Sequence, residues 1–155
     1  MKTNDEQKVN ILIQALDERY KSIHTIRERV QTVSIWALGI LLGASGWLFQ
    51  ADIYFSIEQK IYSVALLMLI WVTLRLFYFT DLEKGFNSQR QTTAKIEDAF
   101  GLFDEGVYTD LKESIYPSSW KKSGQKGSEG KFFENSYNLL VIGFEILSFI
   151  VLLLK

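Results

Sequence analysis

Apolar side chains recur at two different densities along this chain. Between residues 5 and 30 they fall on a single helical stripe, Val9, Leu12, Leu16, Ile23, Ile26 and Val30, spaced by threes, fours and one seven. Arg19 occupies the position that the seven skips, with Tyr20 beside it. From Val30 to Ala51, from Ile61 to Thr80 and from Asn135 to Leu154 the apolar residues are instead nearly continuous. These three segments hold two charged side chains, Arg75 and Glu145, whereas the other 93 residues hold 33. A hydrocarbon core of about 30 Å needs about 20 mainly apolar residues of helix, and each segment is that long. The pattern predicts an all-α integral membrane protein with three spans.

The spacing also predicts how the elements connect. No glycine or proline separates the stripe from the first span, so a long amino-terminal helix can run on into the bilayer as a lever. Alternatively, the stripe packs on the chain's own second polar segment. Gly39, Gly43 and Gly46 place small residues along one face of the first span, where another helix can approach closely, either the second span or a neighbouring subunit. The nine residues from Asp52 to Lys60 are short enough to force an antiparallel hairpin. Trp71, Phe77, Tyr78 and Phe79 crowd the end of the second span and suit the headgroup boundary.

Beyond it, Leu82, Phe86, Ile96, Phe100, Phe103 and Val107 share a seam with polar Gln89 and Thr93, predicting helix broken near Gly101 and Gly106. Leu111 to Tyr116 reads as a short helix ended by Pro117, and Ser118 to Lys131 as a mobile Gly/Ser/Lys loop followed by Phe132 and Phe133 at the membrane surface. The expected organisation is a cytoplasmic amphipathic helix (1–32), a transmembrane hairpin (33–80), a cytoplasmic helical segment with a Lys/Gly-rich loop (81–134) and a third transmembrane helix (135–155).

Charge adds orientation. Six basic residues precede the first span and eight lie between the second and third, against Lys60 in the hairpin and Lys155 at the end. Basic loops stay inside, so the amino terminus and residues 81–134 are expected in the cytoplasm and the carboxyl terminus outside. About thirty polar residues precede the first apolar run, so the first span is expected to be an uncleaved anchor. The balance of 17 basic and 18 acidic residues argues against a whole surface built for nucleic acid. With no cysteine, one histidine (His24), and Asp17/Glu18 and Asp104/Glu105 adjacent rather than one helical turn apart, no catalytic residues, metal site or cofactor are expected, and no enzyme.

Two groups of residues carry candidate chemistry. Glu145, near the middle of the third span, is costly in hydrocarbon and marks either a functional site or an internal partner. Arg75 is the candidate partner. Counting from Thr80 and Asn135 puts the two about 7 Å apart in depth, so they form either a pair fixing the bundle's register or a site in which Glu145 lines a water-filled path. The second group is Trp120, Lys121, Lys122, Lys126 and Lys131. Basic groups beside a stacking ring suit a nucleotide or single-stranded oligonucleotide, and attraction to anionic membrane lipid accounts for the same lysines.

The run Ile23-His24-Thr25-Ile26-Arg27-Glu28-Arg29 leading into Trp36-Ala37-Leu38-Gly39-Ile40-Leu41-Leu42, followed by Gly101-Leu102-Phe103, Tyr116-Pro117-Ser118-Ser119-Trp120 and Gly130-Lys131-Phe132-Phe133, resembles small membrane effectors of bacterial anti-phage systems. These are the two-span SLATT-type effectors of nucleotide second-messenger systems and the transmembrane effector of Hailong-type defence; the third span departs from the two-span pattern. The resemblance implies a homo-oligomeric pore in the bacterial inner membrane, gated by a cytoplasmic nucleotide or oligonucleotide, with a nucleotide-synthesising partner protein. The alternative is a non-conducting scaffold or accessory subunit that recruits a cytoplasmic partner.

Overall fold

The computed structural model describes residues 4–51, 53–108, 113–125 and 131–154. Among them the regular structure is entirely helical. Helix α1 (Asp5–Gln50) carries the amphipathic stripe and the first apolar segment without a break. Helix α2 (Ile57–Thr73) passes through a π-helical segment (Leu74–Phe79) into α3 (Thr80–Ala99). A 3-10 turn (Ser118–Lys122) precedes α4 (Phe132–Leu153). Among the described residues three helices, with α2 through α3 counted as one, are long and apolar enough to cross a membrane.

Helix α2 begins before the apolar run because Ser56 caps it. The Ser56 hydroxyl accepts the Gln59 N–H at 3.2 Å and the Gln59 side chain accepts the Ser56 N–H at 2.9 Å, a reciprocal cap worth about 1 kcal/mol. Lys60 therefore lies in the first turns of α2 rather than in the connection. Its ammonium donates to the carbonyls of Leu152 and Leu154 at the end of α4, where a cation complements the helix dipole.

The chain forms two compact units, one of Met1–Arg27 with Lys84–Gly130 and one of Glu28–Glu83 with Lys131–Lys155. In the first, α1 meets α3 through Arg19 with Gln89, Tyr20 with Glu97 and Ile26 beside Gly85, while Val9 at the start of the stripe is exposed and the helix still runs unbroken into the first apolar segment. Ile23, Phe86, Ala94, Ile96 and Phe103 are buried, each larger side chain contributing about 1.5–3 kcal/mol relative to exposure. Helix α3 ends at Ala99, beside the break expected near Gly101, but the seam beyond it is not helical: residues 100–108 are turns, and Gly101 and Gly106 take φ of +71° and +73°, which glycine adopts without strain. The chain has left the helix by Val107, which is exposed.

Two further expectations fail in this unit. Leu111 and Lys112 lie outside the described residues, and 113–116 are not helical. There the Tyr116 N–H donates to the Leu102 carbonyl at 3.0 Å, and Pro117 disfavours helix in the residue before it. Nor is the described part of the Gly/Ser/Lys stretch a loose loop, for residues 118–125 are fastened to α3. Arg90 donates to Ser123 Oγ at 3.0 Å and Gln91 Nε2 to the Gly124 carbonyl at 2.8 Å. Gly124 is buried with φ +80°, and a Cβ there would stand 2.4 Å from the Asn87 carbonyl oxygen. Composition suggests flexibility, but this glycine serves close approach.

In the second unit α4 packs against both α1 and α2, with Leu41, Phe144, Leu147 and Val151 buried together and Val64, Leu67 and Trp71 against them. The glycine at the helix crossing is Gly143, where a Cβ would meet Leu41 Cδ1 at 2.9 Å and Leu38 Cδ1 at 3.1 Å. Gly39, Gly43 and Gly46 are exposed, and a Cβ on any of them would meet nothing within 4 Å. The second span thus does not cover the α1 glycine face. Trp36, Trp47 and Phe49 are also exposed, an apolar surface suited to lipid or to another helix.

Candidate functional site

Glu145 lies on α4 and is exposed. It borders a groove of about 400 Å³ between α2 and α4, walled by Leu67, Met68, Trp71, Phe144 and Phe149, with Ser148 as a second polar group. The other charged side chain of the apolar segments does not reach it. Arg75 stacks its guanidinium over the Tyr137 ring, 4.7 Å from the centroid, and no ion pair joins Arg75 to Glu145 among the described residues.

Register explains the separation. Tyr137 and Glu145 are eight residues apart on α4, about 12 Å at the helical rise, well beyond the depth gap counted from the ends of the apolar segments. Arg75 lies in the π-helical segment, where Thr80 closes the wider turn by donating both its N–H and its hydroxyl to the Arg75 carbonyl. Trp71 stacks on Tyr137 at 6.2 Å, and buried Phe79 meets the same ring edge-on at 6.0 Å. A π turn holds more residues than an α turn, so it offsets the drift that residues four apart accumulate in an α-helix. Trp71, Arg75 and Phe79 consequently all address one tyrosine. Cation–π contact is worth about 0.5–2 kcal/mol and gives the arginine a partner other than the glutamate.

In the other unit, the Tyr20 hydroxyl donates to Glu97 Oε1 at 2.6 Å. Glu97 is 2% exposed, and its second carboxylate oxygen is buried without a hydrogen-bond partner. Burial first, then hydrogen bonds to Glu97 and Tyr116, push the Tyr20 phenol well above its ordinary value. Sequence reasoning did not single out Glu97. The available signal was positional, since Tyr20 and Glu97 each sit one residue from a seam and can meet across it.

The basic candidates are divided. Trp120 packs on Tyr116 at 5.4 Å, and Tyr116 on Phe103 at 6.0 Å, forming an aromatic row. Lys121 pairs with Asp98 at 2.6 Å, and that hydrogen bond raises its pKa. Lys122 is exposed, Lys126 lies outside the described residues, and Lys131 belongs to the other unit, as the residue before α4. No group of three carboxylate, histidine or cysteine side chains suited to a metal occurs among the described residues. No protein-family model, curated protein or solved structure matches the chain.

Proposed function

We propose that this chain is the subunit of a homo-oligomeric pore in a bacterial inner membrane, amino terminus inside, whose conduction path passes Glu145. The observation that carries this reading is the exposed carboxylate on an apolar helix, without an ion pair to the one arginine of the apolar segments. A lone carboxylate facing hydrocarbon is costly, and the cost is relieved where it lines water, as carboxylates do in cation-conducting pores. The open glycine face of α1 supports an assembly, since small residues let the helices of neighbouring subunits approach closely. Resemblance to small anti-phage effectors supports a gate worked from the cytoplasmic unit by a nucleotide or oligonucleotide, with membrane permeabilisation as the output.

The test is ion flux through liposomes containing the purified protein, with its mass measured in the same detergent. Flux from an oligomer that changes in rate or cation selectivity in Glu145→Gln is expected. A monomer, or flux indifferent to Glu145→Gln, overturns the reading. Nucleotide gating is tested separately by Lys121→Ala, Lys122→Ala and Lys126→Ala, which should shift the ligand response. Unchanged gating with weaker binding to anionic liposomes would assign these lysines to lipid.

A further inference from the structure

The groove beside Glu145 is a binding site for a hydrophobic organic monocation, we infer. Its volume, about 400 Å³, falls in the range that accommodates a small organic molecule, and a mainly apolar wall with few polar groups is what such sites share. The wall here is Leu67, Met68, Trp71 and Phe149, and its single ionisable group is Glu145. A neutral apolar ligand would leave that carboxylate unpaired. A hydrated metal ion would find one carboxylate where a hard cation takes six or more oxygens.

Among the described residues, none supplies the missing charge. The basic residues of α2 and the π segment are Lys60 and Arg75, and α4 has none. Lys60 is held at the carbonyls of Leu152 and Leu154, and Arg75 on the Tyr137 ring. Those anchors lie seven to nine residues from Glu145 along the chain in opposite directions, about 10–14 Å at the helical rise. The carboxylate is thus flanked by two engaged cations and left for an external one. A positive charge on an apolar body satisfies the exposed carboxylate and the apolar wall together.

Binding does not require conduction, so a sealed liposome and an empty groove are separate outcomes. The experiment is equilibrium dialysis of the full-length protein in phosphatidylcholine nanodiscs against tetraphenylphosphonium, with protein-free discs as the blank. Tetraphenylborate, similar in size and shape and opposite in charge, is the second probe. Saturable uptake of the cation is expected, weakened at least tenfold by Glu145→Gln, while the anion binds wild type no better than the variant. Met68→Trp, which crowds the groove from an exposed position and keeps the carboxylate, should weaken the cation as well. Equal binding of the cation to wild type and Glu145→Gln would mean partition onto apolar surface and overturns the site. Absence of saturable binding to the wild type overturns it too, the groove then being covered by an acyl chain or a second copy.

Discussion

Arg19 donates from Nη1 to the side-chain oxygen of Gln89 at 2.8 Å, so the polar residue that interrupts the α1 stripe meets a polar residue on the α3 seam. The Arg19 Nε is buried without a partner, which makes the contact a local requirement rather than a surplus. Gln89→Leu should lower the stability of this unit by about 2 kcal/mol, because it strands a partly buried guanidinium. The double change Arg19→Leu with Gln89→Leu should recover most of that loss, since the two apolar side chains complete both seams. Denaturant melts of the four proteins in one detergent give the coupling, and additive losses would refute it.

Tyr20 supplies a pH test. Its phenol is pushed above the ordinary 10.0 by burial and by its hydrogen bonds to Glu97 and Tyr116. Below pH 10 the folded and unfolded states both hold the proton, and the contribution is fully present. As pH rises past 10 the unfolded chain releases the proton first, so stability falls with increasing pH. In an ultraviolet phenolate titration, Tyr20→Phe should remove a late-ionising step and reduce the alkaline loss of stability. At neutral pH the same change leaves Glu97 without its donor and should cost about 1–3 kcal/mol. An early step lost in Tyr20→Phe would contradict the burial assigned to this hydroxyl.

Gly124 is the point at which the basic segment is held. Alanine there would combine a φ of +80° with a Cβ 2.4 Å from backbone oxygen, so the segment must leave α3. Gly124→Ala should destabilise the unit by about 2 kcal/mol or more and speed tryptic cleavage after Lys121 and Lys122. Gln91→Ala removes one hydrogen bond to the same glycine and should cost about 1 kcal/mol, with an intermediate cleavage rate. Identical digestion of all three proteins would show that Gly124 does not hold the segment.

Much of this was legible because helix period and apolar length are local properties. The α1 stripe, the α3 seam, its end near Gly101 and the three long apolar helices all follow from residues read in order. The Arg75 partner does not, because the slide of α4 against α2 is set by pins distant in sequence, Lys60 on the last carbonyls and Arg75 on Tyr137. Counting each apolar segment inward from its own end assumes that the ends are level. The π turn adds a rotation that a uniform helical count omits. Gly124 and Glu97 were missed for a similar reason, since a loop glycine and a polar residue beside a seam acquire their roles only from the surface they meet.

The glycines of the apolar segments separate packing within a chain from packing between chains. Gly143 faces Leu38 and Leu41 closely, but the atoms a Cβ would crowd most are ends of flexible leucine side chains. Gly143→Ala should therefore be tolerated, with a change of about 1 kcal/mol or less as helix propensity offsets the crowding. Gly143→Leu should separate α4 from α1 and lower the melting temperature of the chain. Gly43 meets nothing within 4 Å, so Gly43→Leu should leave the fold of the single chain intact. If the α1 glycine face joins subunits, Gly43→Leu reduces the oligomeric mass and the liposome flux while the melting temperature of the dissociated chain is unchanged. Retention of both mass and flux would remove this face from the assembly and leave the interface to other apolar surfaces of α1, α2 or α4.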